Sequence, residues 1–138
     1  MQDQTVFKIL HNMDKFTNGL IVQWNKTFNE DLGVSHVLTL GYLYTNGKSR
    51  PSQIARELGL TPPTVTHLCE KLVKRGLAVR SLDDNDRRII LLDITEEGTN
   101  LLTRANEEGH KLREEMFIKL TKEELNQLLN IYQKLNET

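Results

Sequence analysis

Between residues 61 and 74 the chain sets threonines, one histidine and two lysines at the three- and four-residue spacing of a helix face. Pro63, Thr64, His67, Lys71 and Lys74 fall on that face, and Val65, Leu68, Cys69 and Leu72 on the opposite one. The exposed set suits a DNA duplex. An α-helix fits the major groove, and its first residues reach base edges. Thr64 could touch a thymine methyl or a base acceptor, and His67 could donate to guanine or to a phosphate. Lys71 and Lys74 are better placed for phosphates. Free N–H groups from Thr61 to Thr64 offer an anion site at the helix start, although Pro62 and Pro63 bring none. Ser52 and Thr66 complete the predicted contact set.

The charge balance points the same way once it is divided along the chain. The whole carries a formal charge of −1. Residues 48–90 hold nine basic and five acidic groups, or +4, which leaves −5 for the flanks. Binding to DNA follows local phosphate neutralisation, so a duplex would sit on the middle of the chain. Other chemistries find little support. His11, His36, His67 and His110 are scattered singly, without the paired spacing of a zinc site, so no metal or cofactor is expected. No phosphate-binding glycine loop, nucleophile elbow or catalytic carboxylate pair is visible, so an enzyme is not expected. Cys69 falls on the inward side of its helix, where a thiol packs rather than reacts.

The elements that must position these residues can be read in turn. An apolar stripe from Val6 to Phe28 makes a long first helix, broken by Asn29-Glu30-Asp31-Leu32-Gly33. Ser35 is a candidate cap for a second helix to about Tyr44, burying Val37, Leu38 and Leu43. After the Asn46-Gly47 turn, a short helix runs from Pro51 or Ser52 to Leu58 and stops at Gly59. Ile54, Ala55 and Leu58 face inward. Thr61 caps the next helix, Pro62 occupies its first position, and Gly76 follows its end at Arg75. Leu77 to Leu82 and Arg88 to Ile94 read as a hairpin across Asp83-Asp84-Asn85-Asp86-Arg87. Thr95 opens a helix of about two dozen residues, with Leu101, Leu102, Ala105, Leu112 and Met116 apolar. Thr121 and Glu124 form a capping box for a last helix to Leu135.

A helix, a tight turn, a second helix and a hairpin make a winged helix-turn-helix. The segments SQIARELGLTPPTVTHLCEKLVKRGLAVR and DDNDRRIILLDITEEG resemble the MarR family of bacterial regulators, the acidic-then-Arg tip running into Ile-Thr-Glu-Glu-Gly being the more specific. The resemblance spans nearly the whole chain. It implies a homodimer joined by N- and C-terminal helices, with two wings flanking two recognition helices. It also implies that Arg88, or its neighbour Arg87, enters the minor groove while Asp86 holds the arginine in place. Relatives commonly carry Arg where this chain has His67, and an imidazole reads fewer groups than a guanidinium.

The expected fold is therefore mainly α with a small β-hairpin wing: a winged helix-turn-helix flanked by dimerisation helices. The expected divisions are 1–34 for the N-terminal dimerisation helix, 35–95 for the DNA-binding domain and 96–138 for the C-terminal dimerisation helices. The expected partners are double-stranded DNA, a second copy of the chain and, by resemblance, a small and often aromatic anionic effector. Phe16, Trp24 and Tyr42 are the candidate residues for that effector, although each is also explained as core. The N-terminal stretch has no signal-peptide pattern and no apolar run reaches the ~18 residues of a membrane span, so a cytoplasmic protein is expected. A protein-docking use of the same fold and a thiol- or metal-sensing use stay open at this level. So do repression against activation, the operator and the regulated genes.

Overall fold

A computed structural model describes residues 4–137 and gives six helices and one hairpin among them. In chain order these are α1 (Gln4–Thr27), α2 (Val34–Asn46), α3 (Pro51–Leu58), α4 (Pro62–Lys74), β1 (Ala78–Leu82), β2 (Ile90–Ile94), α5 (Glu96–Phe117) and α6 (Lys122–Leu135). The chain separates into two compact units, one of residues Asn25–Glu107 and one formed by the chain on either side of it. The mainly helical fold with a small hairpin agrees with the sequence reading.

The core of the first unit is built where α2, α3, α4 and the hairpin meet. Leu40, Leu43, Ile54, Val65, Leu72 and Leu92 are fully buried there, and Leu101, Leu102 and Ala105 of α5 are also buried. Removing each such side chain from water stabilises the fold by about 1.5–3 kcal/mol. Strands β1 and β2 pair antiparallel from Ala78↔Ile94 to Leu82↔Ile90. Ser49 adds a third edge, exchanging two backbone hydrogen bonds of 2.9 Å with Leu92.

Three local readings need correction. The second helix starts at Val34, with Gly33 rather than Ser35 as its cap. The Gly33 N–H donates to Nδ1 of His36 at 3.1 Å, an imidazole doing what Glu or Gln does in a capping box. In the same helix Leu38 is 52% exposed, whereas Thr39 and Leu40 are buried. At 100° per residue Leu38 lies nearly opposite Leu40, so one helix cannot bury both on one face. The hydroxyl of Thr39 is satisfied by the Ser35 carbonyl at 2.8 Å, which lets it take the inward place. The tip of the hairpin is also longer than expected, with β2 opening at Ile90 rather than Arg88.

The Ile-Thr-Glu-Glu-Gly segment locks α5 onto the start of the hairpin. The Thr95 hydroxyl donates to the Gly76 carbonyl at 2.7 Å and accepts from the Gly98 N–H at 3.0 Å. The Thr95 N–H donates to the Leu77 carbonyl at 3.1 Å. Gly98 must lack a side chain, because a Cβ there would lie 2.1 Å from the Leu77 oxygen. The motif is a joint between helix and strand.

In the second unit the Phe16 and Phe117 rings tilt against each other at 6.0 Å between centroids. Trp24 and Leu112 are buried. Much of the apolar stripe expected to be covered lies open in the single chain. Val6, Phe7, Ile9, Leu10 and Met13 of α1 are exposed, as are Leu129, Ile131, Tyr132 and Leu135 of α6.

Candidate nucleic-acid interface

Helices α3 and α4 are held together by residues that admit close approach. Ala55 is buried, and Gly59 after α3 adopts φ 65°, ψ 34°, a left-handed conformation that glycine enters without penalty. The Gly59 and Leu60 N–H groups both donate to the Ala55 carbonyl, closing the helix end. Thr61 then caps α4: its hydroxyl accepts from the Thr64 N–H and lies 2.7 Å from the Thr64 hydroxyl. Pro62 stands at the helix start, where a missing N–H costs nothing.

This places the sequence-predicted residues as follows. Ser52, Thr61, Pro63, Thr64, Thr66, His67 and Lys74 are exposed, and Lys71 is partly so. The Thr66 hydroxyl donates to the Pro62 carbonyl at 3.0 Å, which leaves its oxygen able to accept. Val65, Leu68, Cys69 and Leu72 are buried on the other side. Burial pushes the Cys69 thiol up to about 11, so it remains protonated and unreactive near neutrality.

The distal half of α4 meets a group of acids that the sequence reading passed over as a helix break. Asp31, in a left-handed conformation at φ 57°, pairs with Lys71 at 3.2 Å. Glu30 pairs with Arg75 at 3.4 Å and with Arg104 of α5 at 2.8 Å, and its backbone carbonyl accepts from Arg75 as well. The hydrogen bond from Arg104, followed by its charge and those of Arg75, holds the Glu30 carboxyl below its usual range. Arg104 also lies over the Phe28 ring, 6.0 Å from its centroid. Asp31, His67, Glu70, Lys71, Lys74 and Arg75 together line an open depression of mixed charge.

At the wing tip each acid has a separate task. Asp83 Oδ1 accepts from the Asn85 and Asp86 N–H groups at 2.8 and 3.1 Å, folding the turn. Asp86 grips Arg88 at two points, Oδ1 to Nε and Oδ2 to Nη2, each 3.1 Å, and also accepts the Arg88 N–H. These bonds, and to a lesser degree the charge of Arg50, hold the Asp86 carboxyl below its usual range, and the side-chain bonds to Asp86 raise Arg88. The arginine held is Arg88, whose side chain is nevertheless 91% exposed. Arg87 is exposed and forms no ion pair with a described residue.

The three aromatic candidates fall in different units. Phe16 and Trp24 belong to the second unit, the former partly exposed and the latter buried, and Tyr42 is half-buried in the first. Among the described residues no cluster of three or more His, Cys, Asp or Glu could hold a metal, and no helix is long and apolar enough to cross a membrane.

Comparison with known proteins agrees with this architecture. Residues 30–89 match the model of the MarR family. Among curated relatives, the HTH-type transcriptional regulator YhbI of Bacillus subtilis is 32% identical over 71% of this chain and 64% of its own length. YwhA, another HTH-type transcriptional regulator of B. subtilis, is 31% identical over 70% of this chain and 69% of its own. The transcriptional repressor MprA of Escherichia coli is 32% identical over 65% and 51%. The chain thus spans about half to two thirds of these proteins. Apo MarR from E. coli superposes with a TM-score of 0.82 at 19% identity, covering 94% of this chain and 95% of that one. The Bordetella bronchiseptica regulator BpsR, whose DNA binding is regulated by 6-hydroxynicotinic acid, gives 0.74 at 19% over 93% and 92%.

Proposed function

The chain belongs to the MarR family of transcriptional regulators, a family of DNA-binding regulators rather than enzymes, and from that membership we propose that it represses transcription as a homodimer on a pseudopalindromic operator. The observation that carries this reading is the pairing of two elements on one unit. An exposed helix face of Thr64, His67, Lys71 and Lys74 stands in the same unit as a wing whose tip presents an oriented, solvent-facing Arg88. The helix suits a major groove and the arginine a narrow minor groove, where the potential is most negative. Ser52, Thr61, Pro63, Thr66 and Arg87 complete the contact set, and Asp86 orients the arginine.

A dimer would present two such readers about one helical turn apart, roughly 10 bp. The exposed apolar rows of α1 and α6 support it, since a monomer seldom leaves so many large apolar groups in water. In functional terms residues 35–95 read DNA, while 1–34 and 96–138 assemble the dimer. Occupancy of an operator would block polymerase. A small aromatic acid is the class of effector that fits, by analogy with BpsR, and Phe16, Trp24 and Tyr42 are its candidate contacts. A ligand that altered the spacing of the two readers would remove the avidity of two-site binding. Such a regulator would act in the cytoplasm.

The test is selection of bound sites from random duplex DNA with the purified protein, alongside its mass by light scattering. A palindromic motif and a mass of two chains are expected. No enriched sequence would defeat the DNA-reading proposal, and a mass of one chain would defeat the dimer.

A further inference from the structure

Arg50 is a residue that local helix chemistry disfavours. It is the N-cap of α3, at φ −78° and ψ 147°. That position favours a side-chain oxygen to accept from the first free N–H groups. A guanidinium offers no acceptor and places its charge at the positive end of the helix dipole. The opposite half of the capping exchange is kept, since the Arg50 N–H donates to Gln53 Oε1 at 2.8 Å. Elsewhere no described N-cap brings a positive charge: Thr61 on α4 and Thr121 on α6 supply a side-chain oxygen, and Gly33 on α2 is neutral. A site that breaks a local rule kept elsewhere in the fold points to a use outside the fold.

The tertiary structure shows where that use would be. Ser49 bridges to Leu92 in antiparallel fashion and is buried. Arg50 therefore continues alongside β2 in the direction of Leu91 and the wing tip, and it is exposed. No carboxylate of a described residue forms an ion pair with it. Asp86, the acid that responds to its charge, is already occupied at both oxygens by Arg88. Arg50 is thus a cation without an ion pair to any described residue, between the start of the helix-turn-helix and the tip of the wing.

We infer that Arg50 binds a DNA backbone phosphate, anchoring the reader between its recognition helix and its wing. This rests on the DNA-reading function proposed above. Phosphate supplies the acceptors that the helix start and the guanidinium both lack, and the contact carries no sequence information of its own.

The test is Arg50→Ser in the full chain, with Arg50→Lys and Arg88→Ala in parallel. Binding to a duplex of random sequence is followed from about 0.1 to 1 M salt, with thermal unfolding of each variant. Serine supplies the missing cap, so Arg50→Ser is expected to melt about 2–5 °C higher while binding DNA more weakly. Its salt slope should fall by about 0.9 for each protomer bound, which is about 8-fold in affinity per contact at 0.1 M relative to 1 M. Arg50→Lys should keep the slope. Arg50→Ser with an unchanged slope overturns the inference, whatever its melting temperature. If Arg88→Ala weakens binding and Arg50→Ser does not, only this inference falls. If the unaltered chain binds no DNA, the function proposed above falls with it.

Discussion

Replacing Gly98 with alanine sets a local preference against a tertiary contact, and the structure decides between them. Inside a helix alanine is favoured over glycine by about 0.5–1 kcal/mol. At Gly98, however, the new Cβ would lie 2.1 Å from the Leu77 oxygen and 2.8 Å from Ile94 Cγ1, where ordinary contact starts near 3.4 Å. The difference of roughly 1.3 Å must come from backbone movement, because the obstacle is a carbonyl and not the end of a flexible side chain. That carbonyl accepts the Thr95 N–H, and the Thr95 hydroxyl holds the Gly76 carbonyl, so both bonds are strained together. Overpacking costs about 1–3 kcal/mol and two weakened hydrogen bonds about 0.5–1.5 each. Subtracting the helix gain leaves a net loss of about 1.5–5 kcal/mol. A fall in Tm of about 5–20 °C should appear in thermal unfolding followed by circular dichroism. Gly41→Ala is the control, since its Cβ would meet only Leu102 Cδ1 at 4.0 Å, and it should melt a few degrees higher. A Gly98→Ala protein as stable as the unaltered chain would refute the steric argument.

Three further outcomes are expected. Asp86→Asn should weaken DNA binding several-fold with Tm nearly unchanged, because it frees an exposed Arg88 rather than a core group; equal affinity in a mobility-shift titration would show that the grip is idle. His36 accepts a hydrogen bond at Nδ1, and its pKa is lowered by burial, then by the charges of Lys71 and His67 and to a lesser degree Arg75, with Asp31 opposing. Its folded pKa thus lies below its unfolded value of about 6.5, so its contribution to stability is complete above that pH and is lost as pH falls through the lower folded value. Denaturant titrations from pH 8 to 5 should show this loss, and His36→Gln, which can cap without titrating, should reduce it; matching slopes would reject the assignment. Cys69, buried and held near 11, should leave DNA binding undiminished after mild peroxide treatment, and a peroxide-dependent loss that Cys69→Ala abolishes would contradict the packing role.

Acids around the recognition helix bear on how it could read DNA. Lys71 already has a partner in Asp31, so a phosphate must displace a carboxylate to engage it, whereas Lys74 forms no ion pair with a described residue. The exchange lowers the net gain available from Lys71 and leaves Lys74, Arg50 and Arg87 as cations without an ion pair to a described residue, whereas Arg88 is oriented by Asp86. Glu30 pairs with both Arg75 at the end of α4 and Arg104 on α5.

What the sequence determined alone is local. Thr61-Pro62 and Thr121 with Glu124 set helix starts because a cap needs only the next turn of chain, and Gly59 and Gly76 end helices because few other residues enter positive φ cheaply. The buried face of α4 was legible because Val65, Leu68 and Leu72 repeat at helical spacing against a polar opposite face. In α2 that contrast is missing. Apolar residues surround the helix, so only packing against α3, α4 and β2 decided that Leu40 turns inward and Leu38 outward. Tertiary structure alone also joined Asp31 to Lys71, Glu30 to Arg75 and Glu30 to Arg104, across separations of 40, 45 and 74 residues. It likewise brought Arg50 to the wing through the Ser49–Leu92 bridge, and Leu77 against Gly98. Caps and turns follow from short-range sterics written in neighbouring residues. Distances between remote groups follow from how the core closes, and no stretch of sequence carries those by itself.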